Sequence, residues 1–305
     1  MNKKINKTWN SIWQNRGLYA LMLPSIILLI LFAYKPMYGI IIAFKDYRPI
    51  DGIWGSQWVG FEHFIKFFKS YQFKSSITNT LSISLYSLIA SFPLPIIMAL
   101  LLNHMRNKAL KKVFQTVTYL PHFISTVVMV GILLIFLSPG SGLIGVICNF
   151  FGVQAPNLMG SASAFNDVYV WSDVWQHTGW DSIIYLAALS AVDPSLYEAA
   201  TVDGASRWQK IKYIDLPMIL PTAVILMIMR VGGIMNVGFE KVYLMQNPLN
   251  SSSSEVISTL VYKTGLLSNQ YSYSAAVGLF NTIINVILLI AVNEISKRFS
   301  ENSLW

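Results

Sequence analysis

The sequence predicts an all-α membrane protein with six transmembrane helices, and two observations support this fold class. Only 12% of the 305 residues are charged and 54% are hydrophobic, whereas about a quarter of the residues in a soluble domain are charged. A bilayer core about 30 Å thick requires roughly 20 mostly apolar residues per helix. The runs of sufficient length are 18–44, 78–103, 113–137, 168–191, 217–237 and 275–295.

The distribution of lysine and arginine predicts how these helices are oriented. Four of these residues precede the first run, four lie in 104–112, three in 192–216 and two after 295, whereas the alternate loops carry five, none and two. Because cytoplasmic loops of membrane proteins are enriched in basic residues, both termini and segment 192–216 are expected in the cytoplasm. The five basic residues of loop 45–77 weaken this bias.

The chain is expected to divide into four parts. They are a cytoplasmic amphipathic N-terminal segment (1–17), the first transmembrane helix with an extracytoplasmic loop (18–77), a core with five transmembrane helices (78–295) and a cytoplasmic tail (296–305). In the first part, Ile5, Trp9, Ile12 and Trp13 follow helical spacing beside lysines, a pattern typical of a helix on the inner leaflet. A frayed basic tail is the alternative.

Shorter patterns refine this picture. "FEHFIKFFKS" at 61–70 indicates an amphipathic segment at the outer interface, and 143–151 is apolar but too short to cross a bilayer. "FPLP" at 92–95 predicts a kink, because proline removes a helical hydrogen bond. "NPLNSSSS" at 247–254 predicts an exposed loop.

The residues offer little for metal, redox or catalytic chemistry. Cys148 is the single cysteine, no cysteine or histidine cluster has zinc spacing, and the four histidines are scattered. No nucleophile-elbow pattern occurs. The net charge is +8, but most of the basic residues lie in the segments that flank the apolar runs. This distribution does not favour a nucleic-acid partner. No catalytic residue and no metal site is predicted.

The polar stretch "YEAATVDGASRWQKIKYIDLP" at 197–217 has local signals for a helix, a turn and a second helix. Ser195 and Glu198 stand at the spacing of a capping box, and Gly204 can end the first helix because glycine adopts left-handed dihedrals cheaply. Asp215 is expected to cap the next helix, with Pro217 in its first turn. An ordinary helical hairpin, in which Glu198 only caps, is one interpretation.

The same stretch matches the spacing EAA-x3-G-x9-I-x-L-P of bacterial ABC-importer permeases. "YKPMYGIIIAFKDY", "WVGFEHF", "YLPHFIS", "GWDSIIYLAAL", "GFEKVYLMQNP" and the final "SLW" resemble the subfamily that imports poly- and oligosaccharides, related to the larger maltose-permease subunit. The resemblance implies the type I importer permease fold, in which the EAA loop is a cytoplasmic coupling helix that docks on an ATPase. The implied coupling residues are Glu198, Ala199, Ala200, Asp203, Gly204, Ile214, Leu216 and Pro217.

The resemblance also implies partners. No G-x-x-x-x-G-K-[ST] phosphate loop occurs in the sequence, so ATP and Mg are expected on two separate ATP-binding cassette subunits, and no cofactor is expected on this chain. A second permease subunit completing a heterodimer and an extracellular solute-binding protein are implied as well. The expected location is the bacterial cytoplasmic membrane, among its lipids.

A polar stripe in the fourth run is the candidate substrate site. Asp173, Gln176, His177 and Trp180 fall at i, i+3, i+4 and i+7, on one face of a helix. Hydrogen-bonding groups beside an indole suit a sugar; alternatively, these groups join neighbouring helices. An ungapped match to the maltose-permease relative implies pathway positions at the same four residues and in the fifth run. Those of the fifth run are Arg230, Gly233, Ile234 and Val237, with Asn236 nearby.

Arg230 is unusual for a neutral-sugar pathway. An arginine within an apolar run normally faces a partner or a cavity, and its planar guanidinium can hold a carboxylate through two hydrogen bonds. We hypothesise an acidic oligosaccharide substrate, such as one that contains uronic acids. A structural ion pair with Asp173 or Asp181 is the competing interpretation.

These observations favour a non-enzymatic permease subunit of an ATP-driven oligosaccharide importer. The alternative is a stand-alone secondary transporter or channel, although no inverted repeat is evident between the halves of the chain. A membrane-embedded enzyme is a third, more distant class.

Overall fold

A computed structural model describes residues 13–299, and most of this part of the chain is helical. Its helices of nine or more residues are Arg16–Leu29, Tyr71–Ser91, Pro93–Asn103, Lys108–Tyr119, Thr126–Phe136, Phe165–Ser190, Pro194–Val202, Leu216–Gly232 and Tyr271–Phe299. The shorter helical segments are Ile30–Tyr34, Lys35–Met37, Tyr38–Phe44, Gly52–Gly55, Glu62–Lys69, Leu120–Phe123, Leu143–Phe150, Arg207–Lys210, Ile211–Asp215, Phe239–Met245, Ser251–Ser254, Ile257–Tyr262 and Lys263–Leu267.

One small sheet departs from the all-α prediction. Strand β1 (Lys45–Asp46) pairs antiparallel with strand β2 (Gln57–Trp58). The amino group of Lys45 donates to the backbone carbonyl of Ile53 at 2.7 Å, which ties the connecting segment to the first strand. The loop after the first helix is therefore a folded hairpin.

Four helices in the described part of the chain are long and apolar enough to cross a membrane. They are Arg16–Phe44, Tyr71–Asn103, Arg207–Gly232 and Tyr271–Arg298. A bent pair, Lys108–Phe123 with Thr126–Phe136, adds a fifth crossing when it is counted as one span. The predicted run 168–191 corresponds to the 26-residue helix Phe165–Ser190, which ends one residue before the run does and which we call the central helix. Its polar residues keep it out of this set, so composition alone supports four or five crossings and not the predicted six.

The first helix, Arg16–Phe44, has no buried residue in its most apolar 18-residue window. In the part of the chain that the structure describes, its end Tyr38–Phe44 lies against the C-terminal helix Tyr271–Phe299. Among residues 13–299, this helix therefore leaves a long apolar surface without a partner. Of the predicted amphipathic segment 1–17, residues 1–12 lie outside the described residues.

The predicted run 113–137 is not one straight helix. Lys108–Phe123 and Thr126–Phe136 meet at 99°. Pro121 lies in the tight turn before the bend, and the hydroxyl of Ser125 accepts from Val128 to start a new helix at 3.4 Å. Proline and the new cap redirect the chain because the helical hydrogen bonds cannot continue through them.

The runs 217–237 and 275–295 also need corrected boundaries. The fifth run belongs to a helix that ends at Gly232, and residues 233–238 are not helical. Asn285 of the C-terminal helix accepts a hydrogen bond from the backbone N–H of Met235 at 3.1 Å. This bond gives a partner to one backbone group of the non-helical segment. The C-terminal helix extends to Phe299, so the predicted tail 296–305 begins within it, and residues 300–305 lie outside the described part.

The central helix forms the axis of the packed helices. It lies against Pro93–Asn103, Tyr71–Ser91 and Lys108–Tyr119. A side chain at Gly179 would overlap the backbone carbonyl of Thr118, so this crossing requires glycine. Side chains on different faces of the central helix therefore contact different neighbouring helices, and the central helix lies in the interior of the packed helices.

Two loop predictions have different outcomes. Segment 61–70 forms the helix Glu62–Lys69, which buries Phe64 and Phe67 as an amphipathic helix should. The prediction of an exposed loop at 247–254 holds only in part: Leu249 is 70% exposed, whereas Asn250 is 1% exposed and donates to the carbonyl of Met159 at 2.9 Å. The asparagine satisfies backbone groups that the short helices around it leave unpaired.

Candidate functional site

A cavity of about 380 Å³ lies between the helix Tyr71–Ser91, the central helix and the non-helical segment 233–238. Of the predicted pathway residues, it is lined by Asp173, His177, Arg230, Gly233, Ile234, Asn236 and Val237. Irregular backbone at membrane depth is tolerated where it lines a cavity or is buried in protein. The chain can therefore leave the helical conformation after Gly232, because the non-helical segment lines this cavity.

Arg230 pairs with Asp181 inside the cavity. The guanidinium donates to the Asp181 carboxylate at 2.6 Å and to the hydroxyl of Ser91 at 2.7 Å. Both members of the pair remain partly accessible, since their side chains are 34% and 30% exposed. Of the two carboxylates considered as ion-pair partners from the sequence, the structure selects Asp181.

Asp173 has a different cation beside it. The amino group of Lys241 lies 3.2 Å from the Asp173 carboxylate, donates to the backbone carbonyl of Tyr169 at 3.1 Å, and sits 4.7 Å from the ring centre of Tyr169. His177 approaches the same carboxylate at 3.4 Å. The carboxylate is thus held between two neighbours, and sequence reasoning missed Lys241, which is distant in the chain.

A row of serines forms another wall that sequence reasoning missed. Ser84, Ser87 and Ser91 line the cavity from the helix Tyr71–Ser91. Their spacing of i, i+3 and i+7 places them on one helical face, so the stripe was visible in "SISLYSLIAS". These side chains supply hydroxyls opposite the charged residues of the central helix.

Two predicted pathway residues do not line the cavity. Gln176 is 5% exposed and donates its side-chain amide to the carbonyl of Ile124 at 2.8 Å. The indole of Trp180 stacks on His122 with ring centres 4.4 Å apart. Both side chains hold the central helix against the bend near 120–125, which was the alternative interpretation of the polar stripe.

The segment 233–238 is fixed by amides. Asn236 accepts hydrogen bonds from Asn281 at 2.9 Å and from Asn285 at 3.2 Å through its side-chain oxygen. Asn236 also lines the cavity. The C-terminal helix thereby sets the position of one cavity wall.

The second candidate site is the segment 194–217, where the predicted capping box is wrong. The helix Pro194–Val202, which we call the loop helix, is capped by Asp193, whose carboxylate accepts from the backbone N–H of Ser195 at 2.9 Å. This hydrogen bond holds the pKa of the Asp193 carboxyl below its usual value. With Pro194 at the first helical position, the N-cap lies two residues earlier than the Ser195–Glu198 pattern predicted.

The loop helix ends just before Gly204, as the position of this glycine in the sequence predicted. Gly204 has φ +74°, and its N–H donates to Thr201 at 3.1 Å while that of Ala205 donates to Ala200 at 2.8 Å. This pair of bonds is the Schellman arrangement, which needs a left-handed residue after the helix. A true capping box follows, because Ser206 and Gln209 bond each other's backbone N–H groups.

Asp215 does not cap the following helix. It is fully buried, and its carboxylate accepts from the hydroxyl of Tyr197 at 2.5 Å and contacts the imidazole of His104 at 2.6 Å. Burial, reinforced by the neighbouring Asp215 carboxylate, raises the pKa of Tyr197 to about 12. The helix here is continuous from Arg207, so it does not need a cap at this residue.

The rest of the predicted coupling set forms a mostly open surface. Glu198, Ala199, Asp203, Gly204, Leu216 and Pro217 are exposed, whereas Ala200 and Ile214 are half-buried. Val202 and Trp208 are 89% and 69% exposed beside them. Small, acidic and apolar side chains of this segment are thus accessible.

Comparisons with known proteins agree with the motif. Residues 91–301 match the family described as "Binding-protein-dependent transport system inner membrane component". The chain is 42% identical over 292 residues to the polygalacturonan/rhamnogalacturonan transport system permease protein YteP of Bacillus subtilis (strain 168), which covers 96% of this chain and 91% of YteP. Protein LplB of the same organism is 40% identical over 292 residues, covering 96% of this chain and 92% of LplB.

A solved structure supports the fold. A chain of a bacterial ABC transporter involved in the import of the acidic polysaccharide alginate superposes with a TM-score of 0.89 at 40% identity, and the match covers 96% of this chain and 99% of that one. The resemblance inferred from the EAA spacing is confirmed. The chain therefore belongs to the family of binding-protein-dependent transport system inner membrane components, and it is a multi-pass sugar permease of the ABC-transporter class.

Proposed function

We propose that this permease forms part of the path of an ATP-driven importer for acidic, uronate-containing oligosaccharides. The observation that carries the proposal is the partly accessible Arg230 guanidinium in a cavity lined by serine hydroxyls. Similarity to a permease named for polygalacturonan and to a transporter of alginate supports the acidic substrate class.

The chemistry of the cavity suits a charged sugar. A guanidinium has five N–H donors, so Arg230 can bind a uronate carboxylate in addition to, or in place of, Asp181. The hydroxyls of Ser84 and Ser87 can bond sugar hydroxyl groups. Asp181 balances the cation, so that no unpaired charge is left at membrane depth.

We extend the proposal to the topology. The central helix is the sixth crossing, and it is polar because it lines the path instead of facing lipid. Both termini and the loop helix lie in the cytoplasm, as the basic residues predict. The first helix, whose apolar window is unburied in this chain, packs against lipid and a second permease subunit.

The energy source in this proposal lies on other chains. Two ATP-binding cassette subunits hold ATP and Mg, and the loop helix docks on one of them through Glu198, Ala199 and Ala200. A solute-binding protein delivers the sugar from outside. A related solved complex, with a TM-score of 0.90 and 39% identity, contains an alginate pentasaccharide-bound periplasmic protein, which supports this assembly.

Uptake by reconstituted vesicles tests the proposal. The chain is co-reconstituted with its second permease, ATPase subunits and solute-binding protein, and uptake of tetragalacturonate is compared with that of maltotetraose, a neutral tetrasaccharide. We expect ATP-dependent accumulation of the acidic sugar. Preferential uptake of the neutral sugar contradicts the acidic substrate, and uptake by the chain without ATPase subunits supports the secondary-transporter alternative.

A further inference from the structure

The buried carboxylate of Asp215 joins three separate parts of the chain. Its two oxygens contact Tyr197 of the loop helix at 2.5 Å and His104, the residue that ends Pro93–Asn103, at 2.6 Å. Asp215 itself lies in the continuous helix Arg207–Gly232. One side chain therefore connects the loop helix to the ends of two candidate membrane spans.

The connection is built to hold its geometry. Asp215 is 0% exposed and His104 is 19% exposed, so water does not compete freely for these bonds. A buried carboxylate needs donors on both oxygens, and removing one donor leaves charge unsatisfied.

A second contact holds the far end of the loop helix. The amino group of Lys210 donates to the hydroxyl of Thr201 at 2.6 Å. This contact is exposed and stays within segment 194–217, so it does not reach the helix Pro93–Asn103. In the part of the chain that the structure describes, the hydrogen bonds of Asp215 to Tyr197 and His104 join the loop helix to that span.

We infer that Asp215 is a positioning residue that couples the loop helix to the membrane helices: through Tyr197 and His104, movement of the loop helix shifts the ends of Pro93–Asn103 and Arg207–Gly232 together. The cavity is lined by Ser91, which precedes Pro93–Asn103 in the span Tyr71–Asn103, and by Arg230 in Arg207–Gly232. The inference rests on the proposed function, in which an ATPase moves the loop helix.

The test compares uptake per ATP hydrolysed in the complete assembly reconstituted in vesicles. Tyr197→Phe removes only the hydroxyl donated to Asp215, and Tyr213→Phe is the matched control, because Tyr213 is 67% exposed on the same segment. We expect Tyr197→Phe to lower uptake per ATP by roughly twofold to thirtyfold, the usual range for coupling residues, without changing binding of tetragalacturonate. Tyr213→Phe should match the wild type.

Further variants separate coupling from folding. His104→Gln should act in the same direction, and combining it with Tyr197→Phe should not exceed the loss in Asp215→Asn, since all three act through one carboxylate. If the Asp215→Asn variant does not assemble, the uptake per ATP hydrolysed in Tyr197→Phe decides whether the inference holds. A wild-type ratio in Tyr197→Phe, or an equal loss in Tyr213→Phe, overturns the inference alone, whereas absence of ATP-driven uptake in the wild type overturns the proposed function and the inference with it.

Discussion

Arg230 and Asp181 form an ion pair at 2.6 Å that joins the last turn of Leu216–Gly232 to the central helix within the cavity. The pair explains how an arginine can lie in an apolar helix without an unbalanced charge. It also gives an entering carboxylate a cation to bind, with Asp181 as the group it competes against.

Arg230→Gln should lower uptake of tetragalacturonate by at least about tenfold, because a charge-assisted hydrogen bond is worth more than about 1.4 kcal/mol. It should also reduce stability by about 1–2 kcal/mol, because Asp181 loses its partner while remaining partly solvated. Vesicle uptake and thermal unfolding measure the two effects.

The double variant Arg230→Gln with Asp181→Asn separates these effects. It should regain stability, since the unpaired carboxylate is gone, without regaining acidic-sugar uptake. Arg106→Gln, which changes an exposed arginine outside the cavity, is the control and should leave uptake unchanged. Recovery of tetragalacturonate uptake in the double variant would show that Arg230 serves structure only.

Glu198→Lys should abolish ATP-driven uptake or prevent binding of the ATPase subunits, because it reverses the charge of an exposed residue at the proposed docking surface. Co-purification of the subunits and uptake measure this outcome. Glu62→Lys, which changes an exposed residue at the start of the helix Glu62–Lys69, should retain both. Normal ATPase binding and uptake in Glu198→Lys would contradict a docking role.

Gly204→Ala should destabilise the loop helix by about 1–2 kcal/mol, because an alanine at φ +74° is strained. Gly278→Ala is the matched control. Gly278 lies within the C-terminal helix, and no atom is close to an added Cβ. Because alanine favours helices, this variant should raise the thermal midpoint. Thermal unfolding of the purified proteins compares them. A lowered midpoint in both, or in neither, would contradict the turn assignment.

Gly179→Ala should loosen the contact between the central helix and Lys108–Tyr119 by about 1–3 kcal/mol, because the added methyl group overlaps the backbone of Thr118. Gly131→Ala has open space around its added Cβ and should be tolerated. The difference in thermal midpoint between the two variants is the measurement. Equal midpoints would mean that the helices separate without cost.

Acid stability should depend on Asp193. Its folded-state pKa is lowered by the Ser195 N–H, so its contribution is present above the ordinary carboxyl pKa and is lost as the pH falls through the lowered value. Asp193→Asn keeps a capping oxygen but has no carboxyl to protonate. It should therefore lose less stability than the wild type below about pH 4. Unfolding midpoints across acidic pH test the difference, with Asp203→Asn as control; identical profiles for wild type and Asp193→Asn would refute it.

The sequence predicted local and periodic features well. Apolar runs predicted helices at 18–44, 78–103 and 275–295, each within a longer observed helix, and Gly204 ended the loop helix because its conformational freedom is a property of the residue itself. Cap and break positions were less accurate. Asp193 replaced Ser195 as the cap, and a 99° bend interrupted 113–137, because several nearby residues competed for the same role.

Contacts between distant segments were decided only by tertiary structure. The sequence alone determined an α-helical membrane chain, the EAA spacing and a charged residue at 230 within an apolar run. Packing chose Asp181 over Asp173 as the partner of Arg230, gave Lys241 to Asp173, and turned Asp215 from an expected cap into a buried link between Tyr197 and His104. The physical reason is that periodicity and caps act within a few residues, whereas ion pairs and cavities depend on which helix faces meet.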